Sequence, residues 1–444
     1  MWHVIEGFPP AGASLSAIVA ARHGGFVIAG SAAAPSDACP SGRDARLWTS
    51  SDGVAWSEAR LEDAANAAAD LLVDGAPGLP AAVGTTGTPG CPGFGPVAWT
   101  AADGSEWKRS TATGLLAGDD VGDVVTVAEG QDLVASGRFA DDEALMGIWQ
   151  VRFEADGSRW RAATEPPPSL HGSTLRALAS NGDVVVGFDG SRNPHVWYSA
   201  DAGATWTGSD FTTSYRFLTT DSASGGSSGF VAAGRACCGL PDQEYGMVIR
   251  SDDGRAWTEA RPGIDFARPI EALVNTPVGW IALGEETYVS SDGADWRLGP
   301  ALPGFESKVH LVNRVPVPYR LAVAGDASQL VAITPERVWR ASLADLAPGR
   351  WPASAPAAAM PAVGQSYEAT LFTHCGPFNG PLYFDARSWV PDLPEGYFPL
   401  SFDSHYEPGT LAFVAEDRLE FTGTRGDVVT YLPTDDPPGR IPCA

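Results

Sequence analysis

Ser-Ser-Asp-Gly-Val-Ala-Trp, residues 50–56, decides the fold because the chain writes it again and again. Variants follow at 101–107 (Ala-Ala-Asp-Gly-Ser-Glu-Trp), 154–160 (Glu-Ala-Asp-Gly-Ser-Arg-Trp), 199–206 (Ser-Ala-Asp-Ala-Gly-Ala-Thr-Trp), 251–257 (Ser-Asp-Asp-Gly-Arg-Ala-Trp) and 290–296 (Ser-Ser-Asp-Gly-Ala-Asp-Trp). A period near 50 residues marks a repeat architecture. A second repeat runs in step with the first. Apolar runs ending in Gly stand at 26–30, 81–84, 133–137, 184–187, 230–234, 280–284 and 321–325, which makes seven rather than six. Each unit reads as an apolar strand a, a tight turn, the Gly-ended strand b, a variable loop, strand c, the Asp-Gly turn and a strand d opened by Trp. Four short strands per unit is the size of one propeller blade.

The seventh unit lacks an intact phrase. Residues 337–342 suit its third strand, and Ser342, Asp345, Gly349 and Trp351 keep the order of an eroded turn. Residues 1–6, Met-Trp-His-Val-Ile-Glu, also read like a strand that follows the Asp turn. Trp2 and Trp351 thus compete to supply the closing outer strand. The N-terminal strand is the better candidate, because closing the ring with one chain end removes an open sheet edge. The expectation is an all-β chain: a seven-bladed β-propeller over 1–351, with six blades as the alternative. A Pro/Ala-rich linker follows at 352–365, then a small β domain at 366–444.

The phrase resembles the Asp box of the sialidase-type, or BNR, repeat. The family pattern has one residue between Asp and Gly, and only 199–206 keeps it here. Chemically, the carboxylate accepts N–H groups within its own turn, Gly supplies φ > 0, and Trp buries a flat ring between blades. Asp52, Asp103, Asp156, Asp201, Asp253 and Asp292, with Trp56, Trp107, Trp160, Trp206, Trp257 and Trp296, are therefore read as structural staples, not as catalytic or metal-binding groups. Alternating strand direction puts the Asp turns on one face of the disc and the b–c and d–a loops on the other. A binding site is expected on the second face.

On that second face, Arg138 and Arg235 follow the last Gly of strand b in blades 3 and 5. Arg192 lies in the fourth b–c loop, and Glu285 and Asp326 take the post-Gly place in blades 6 and 7. Arg43, Arg216 and Arg268 lie nearby in the pattern. Clustered Arg can clamp a carboxylate or sulfate, but pairing with the many acidic residues is the simpler fate. The resemblance to sialidases implies three substrate-binding Arg, a Tyr/Glu nucleophile pair and an acidic Asp. This chain lacks the family's early Arg-Ile-Pro phrase; Arg268-Pro269-Ile270 is its nearest echo, ahead of blade 6. Other Asp-box propellers cleave glucans with two rings, and seven-bladed ones resemble assembly factors and receptors that bind partners without chemistry. No catalytic residue, cofactor or metal is expected. The function expected is non-catalytic recognition of a protein or glycan, with a sialidase-like glycoside hydrolase as the alternative.

Composition narrows the partners. The 444 residues carry 54 Asp+Glu against 29 Lys+Arg, a formal charge of −25. That disfavours nucleic acid and anionic membrane surfaces. Lys108 and Lys308 are the only lysines, which fits the codon bias of a GC-rich genome. No apolar run is long enough to span a bilayer. The six cysteines suggest disulfides and an extracellular or cell-envelope location, although residues 1–6 lack the marks of a signal peptide; export then requires a signal already removed. Cys39 and Cys91 hold equivalent places in blades 1 and 2 and are candidates to bridge them. Cys237 and Cys238 adjoin, and either a vicinal bridge, free thiols or pairing elsewhere is open. No His stands at zinc-ligand spacing from them. The stretch 371–376 (Leu-Phe-Thr-His-Cys-Gly), with 383–389 and 409–414, resembles a small domain of uncharacterised actinobacterial proteins, often exported. That resemblance brings no chemistry with it. His374 and Cys375 point to opposite faces of a strand, and a Cys375–Cys443 tie is the favoured reading.

Overall fold

The fold was taken from a computed structural model. It describes the chain apart from residues 22–23, 35–41, 75–79, 87–94, 102–105, 111, 114–119, 128–131, 140–141, 155–156, 164–174, 190–194, 210–215, 238–244, 261–269, 306–308, 313–314, 319–320, 351–362, 365, 373–381, 385–386, 393–405 and 435–444.

Seven antiparallel sheets follow one another along the chain, each meandering a-b-c-d. Blade 1 is Ala13–Ala20, Phe26–Ala33, Arg43–Ser50 and Ser57–Glu58. The a strands of the next five blades are Ala67–Asp74, Asp120–Val127, Leu175–Asn181, Arg216–Gly226 and Ile270–Thr276. Blades 2 and 3 gain a fifth strip, Arg60–Leu61 and Ala112–Thr113, lying parallel against strand d. Each a strand lies beside the a strands of its two neighbours, and that of blade 1 also lies beside Ala322–Gly325 of blade 7. The chain is a closed seven-bladed β-propeller.

The apolar residues explain why the ring closes. A strand buried on both faces must find cover above and below. One hydrophobic cluster fills each blade interface. Val27, Leu47, Trp99 and Trp107 join blades 1 and 2, and comparable clusters join each following pair up to blades 6 and 7. The last, Leu15, Ile18, Ile28, Trp48, Val331, Ile333 and Val338, joins blade 7 back to blade 1.

Blade 7 is Ala322–Gly325, Gln329–Thr334 and Arg337–Ser342, completed by His3–Val4 as its outer strand. His3 pairs with Arg340 and Val4 with Trp339, antiparallel. Trp2 is buried in the blade 6–7 cluster and donates its indole N–H to Thr287 Oγ1 at 3.0 Å. It takes the place that Trp107, Trp160, Trp206, Trp257 and Trp296 hold in the preceding interfaces. The N-terminal segment therefore closes the ring, as its sequence suggested. No Asp turn stands at the end of strand c in blade 7. A short helix, Leu343–Leu346, buries both its leucines there instead. Trp351 lies outside the described residues.

One strand assignment needs correction. The apolar run 321–325 reads as the seventh strand b, but Ala322–Gly325 is strand a and Gln329–Thr334 is strand b. Asp326 therefore sits in the a–b turn. Its Oδ1 accepts the N–H of Ser328 at 2.7 Å and of Gln329 at 2.8 Å. It is a turn staple on the Asp-box face, not a member of the b–c face.

Beyond the ring, six strands form a sheet of their own in the order Ser366–Phe372, Tyr406–Ala415, Arg418–Gly423, Val428–Thr434, Arg387–Pro391, Leu382–Phe384. Trp389, Leu411, Phe413, Leu419, Phe421, Val429 and Tyr431 make its core. Burial in that core raises the Tyr431 hydroxyl pKa well above its usual range. Among the described residues no helix is long and apolar enough to cross a membrane.

Candidate functional site

The two faces of the ring are built for different tasks. On one, the Asp turns of blades 1, 4, 5 and 6 share a single geometry. The serine two places before Asp accepts the box glycine's N–H: Ser50 from Gly53 at 2.9 Å, Ser199 from Gly203 at 2.9 Å, Ser251 from Gly254 at 2.8 Å, Ser290 from Gly293 at 2.9 Å. Asp52 Oδ1 accepts the N–H groups of Val54 and Ala55, and Asp253 and Asp292 repeat this. Trp206, Trp257 and Trp296 donate their indole N–H to the box glycine's carbonyl. Trp56 instead stacks on Phe8 at 5.2 Å.

The box glycines sit at φ between +68° and +81°, where a Cβ is strained. They also touch the blade before. A Cβ on Gly53 would lie 2.8 Å from Val331, on Gly203 2.6 Å from Val134, on Gly254 2.7 Å from Val186, and on Gly293 2.6 Å from Val231. Each of these valines is in strand b of the preceding blade. The blade 1 turn against blade 7 matches the rest, so the ring closes in register. Hydrogen bonds from Ala55 and Val54 hold the Asp52 carboxyl below the usual carboxylate range, and those from Arg255 and Ala256 do the same for Asp253. At Asp201 and Asp292 burial pushes upward, but the turn's hydrogen bonds together outweigh it. These carboxylates are ionised and spent on their own turns. Asp103 and Asp156 lie outside the described residues. Trp107 and Trp160 are buried at blade interfaces as expected.

The opposite face is shaped by β-bulges. In blades 1 to 6 strand a slips register by one residue, at Ser16, Asp70, Gly122, Arg176, Asp221 and Glu271, and in blade 5 it slips once more at Leu218. A bulge bends and twists its strand and re-aims side chains. It also accounts for the glycine near the end of strand b. Opposite the bulge the two backbones approach so closely that a Cβ on Gly30 would lie 2.2 Å from the Ser14 carbonyl oxygen, and on Gly84 1.8 Å from that of Ala68. The inner edges of the sheets are bridged by side chains. Ser16 Oγ donates to Ala69 O at 2.5 Å, Asp123 Oδ2 accepts Leu178 N–H at 2.7 Å, and Ser222 Oγ accepts Leu273 N–H at 3.0 Å. Backbone groups that a strand edge leaves open are thus satisfied by the neighbouring blade.

Charged groups gather at this end of blades 4, 5 and 6. Asp189, the last residue of strand b in blade 4, is fully buried. It accepts the N–H of His195 at 3.2 Å, and its other oxygen lies 3.3 Å from His195 Nδ1. The imidazole, 43% exposed, stacks on Trp197. In blade 5, Arg235 donates from Nε to Asp221 at 2.8 Å, with the arginine side chain only 12% exposed. Glu271, the bulge residue of blade 6, is buried. Glu285 lies between strands b and c of blade 6, and the next residue, Glu286, accepts the hydroxyl of Tyr288.

The sequence-level candidates meet this geometry unevenly. Arg235 is where its spacing put it, but Asp221 closes it. Glu285 is on the b–c face. Asp326 is not. Arg138 lies in strand b of blade 3, opposite Asp120 and Met146, and the described structure does not extend to its side chain. Arg192 and Arg268 lie outside the described residues, as do Cys39, Cys91, Cys238, Cys375, Cys443 and His374; Cys237 ends strand b of blade 5. Asp189, Asp221 and Glu271 were not foreseen. The post-Gly spacing that flagged Arg235 had a signal for Asp189, two places after Gly187. The bulge residues had none. Among the described residues no group of three or more His, Cys, Asp or Glu is placed to hold a metal ion.

No protein-family model matches the chain, and no curated protein matches it. Solved structures do align with it. YCF48 bound to D1 peptide is 15% identical, covering 76% of this chain and 94% of its own, with a TM-score of 0.49. YCF48 from Cyanidioschyzon merolae is 13% identical over 76% of this chain and 98% of its own, at 0.48. The Trypanosoma rangeli sialidase in complex with the inhibitor DANA is 13% identical over 94% of this chain and 68% of its own, at 0.43.

Proposed function

We propose that this protein is a non-catalytic binding or scaffold module, exported or envelope-associated, that recognises a partner through the b–c and d–a face of its propeller. Residues 366–444 are a separate small β domain joined through 352–365. The observation that carries the reading is the Arg235–Asp221 pair. A sialidase-like site needs guanidinium groups free to clamp a substrate carboxylate. Arg235, the strand-b candidate whose side chain is described, is turned onto a carboxylate of its own blade and nearly sealed from solvent. The Asp-box carboxylates that are described serve their turns on the other face. What remains on the b–c face is a set of loops of unequal length on a rigid ring, the arrangement by which scaffolds carry specificity. The strongly acidic chain further directs the reading to protein or neutral glycan partners.

A chromogenic sialoside assay tests this against the hydrolase alternative. The expected result is no turnover above the uncatalysed rate. Turnover that is lost in Asp221→Asn but kept in Asp201→Asn would instead place a hydrolytic site on the b–c face and overturn the binding reading.

A further inference from the structure

Strand c carries Arg-x-Trp in two blades, as Arg46-Leu47-Trp48 in blade 1 and Arg337-Val338-Trp339 in blade 7. In blade 7 this pair grips the d–a connection that leads into the blade. Trp339 donates its indole N–H to the Pro303 carbonyl at 3.0 Å, and Arg337 donates from Nη1 to the Gly304 carbonyl at 2.7 Å. Phe305, the next residue, sets its ring edge-on to Trp339 at 6.0 Å and 87°. One strand thus holds two successive carbonyls and then an aromatic ring. Trp99 of blade 2 does part of the same, donating at 2.9 Å to the Glu62 carbonyl in the connection ahead of it.

Blade 1 has the clamp without the carbonyls. Phe8, in the connection that leads into this blade, meets Trp48 edge-on at 5.7 Å and 85°. The Trp48 side chain is 2% exposed, and its indole N–H is buried with no hydrogen-bond partner. Arg46 gives Nη1 to Glu58, while its Nε is buried and unpartnered as well. Trp56, stacked on Phe8, also buries an unpartnered N–H, where Trp206, Trp257 and Trp296 reach the box glycine's carbonyl. Buried donors in folded proteins are paired, and an unmade bond costs more than a made one returns. Phe8 fills the place that Phe305 takes in blade 7 but brings no acceptor with it. Its segment is lightly held. Glu6, Gly7, Pro10, Ala11 and Gly12 are exposed, the Pro10 carbonyl turns onto Ala13 N–H at 3.0 Å, and Phe8 packs against the blade 7–1 cluster.

We infer that the clamp of Arg46 and Trp48 is a docking site for a partner-protein segment shaped like 302–305: a turn with two successive free carbonyls followed by an aromatic side chain. The partner's ring displaces Phe8, and its carbonyls accept from the Trp48 indole and the Arg46 guanidinium. Arg46 lies beside both Glu58 and Asp44, so neutral backbone carbonyls suit the clamp and a carboxylate is repelled. The inference rests on the binding reading above and names the partner's chemistry.

The probe is a fluorescein-labelled, amidated Leu-Pro-Gly-Phe peptide, the sequence of 302–305, titrated against the full chain by anisotropy. The expected result is binding that tightens about tenfold in Phe8→Ala, where no ring of the chain's own competes. Adding Trp48→Phe to Phe8→Ala removes the indole N–H and weakens binding about tenfold, the worth of one buried hydrogen bond. Two changes to the probe touch no residue of the protein: Ala in place of its Phe, and an alkene in place of its Pro–Gly amide, which deletes the carbonyl oxygen. Each weakens binding likewise. Absence of binding to Phe8→Ala, indifference to Trp48→Phe, or equal binding of the alkene probe overturns the inference. So does a concentration-dependent dimer that Phe8→Ala abolishes, since the occupant is then the Phe8 segment of a second copy. Sialoside turnover defeats the binding reading and this inference with it, whereas a silent probe beside an inert sialoside defeats the clamp alone.

Discussion

Trp2→Ala is expected to destabilise the ring more than any other single truncation considered, by about 3–5 kcal/mol, the cost of deleting a large buried aromatic. Trp2 is 3% exposed, fills the interface between blades 6 and 7, and donates to Thr287 Oγ1. It also anchors the outer strand of blade 7, which has only two ladder residues, His3 and Val4. Losing the anchor releases the strand and opens the edge of Arg337–Ser342. Chemical denaturation with a tryptophan-fluorescence readout checks this. The expected result is a fall of midpoint together with edge-driven association on storage. The control is Trp56→Ala. Trp56 is only partly buried, packed against the blade 7–1 cluster, and its loss should cost clearly less. Equal costs would mean that the N-terminal strand is not the closure.

Gly30→Ala carries the second large effect, about 3 kcal/mol, at the upper end for forced overpacking. The added methyl would meet the Ser14 carbonyl oxygen at 2.2 Å, and a backbone in a paired strand has little room to give. The disturbance falls at the bulge that shapes the b–c end of blade 1. Gly182→Ala is the comparison. That glycine has φ +63° but open space around the new methyl, so only about 1 kcal/mol of backbone strain is expected there. Thermal unfolding of the two variants beside the parent measures both. A Gly182 variant that is the worse of the two would contradict the role given to the bulge.

How far the sequence carried the reading follows from which forces act locally. The Asp turns of blades 1, 4, 5 and 6 were legible because each is a closed local unit: Ser, Asp and Gly bond to one another within a few residues, and in blades 4 to 6 the Trp joins them. The closing strand was legible because Trp2 carries the same residue at the same place in the pattern. The slip in blade 7 arose because Leu321 to Gly325 imitates the Gly-ended strand b while standing at the place of strand a. With no Asp turn after the third strand, nothing local anchored the count, and Asp326 was carried to the wrong face. The bulges were not legible at all. A register shift belongs to two strands together, and nothing in Asp221 or Glu271 alone announces it. The partnership of Arg235 with Asp221 was hidden for the same reason. Its spacing put Arg235 at the end of strand b, but the carboxylate that closes it comes from an inner strand fourteen residues earlier.

The central structural claim is that the N-terminal strand closes a seven-bladed ring, which fixes the two faces and hence the side proposed for binding. The most direct measurement is a cross-link between paired positions. His3 faces Arg340 in the ladder, and antiparallel neighbours bring Cα atoms within about 5.5 Å, inside the range a disulfide spans. In the protein carrying His3→Cys and Arg340→Cys, mild oxidation followed by peptide mapping is predicted to recover the 3–340 cross-link in most molecules, with a raised melting temperature. Failure to form that link, with residues 1–6 cut readily by protease from a protein that stays folded, would contradict the closure.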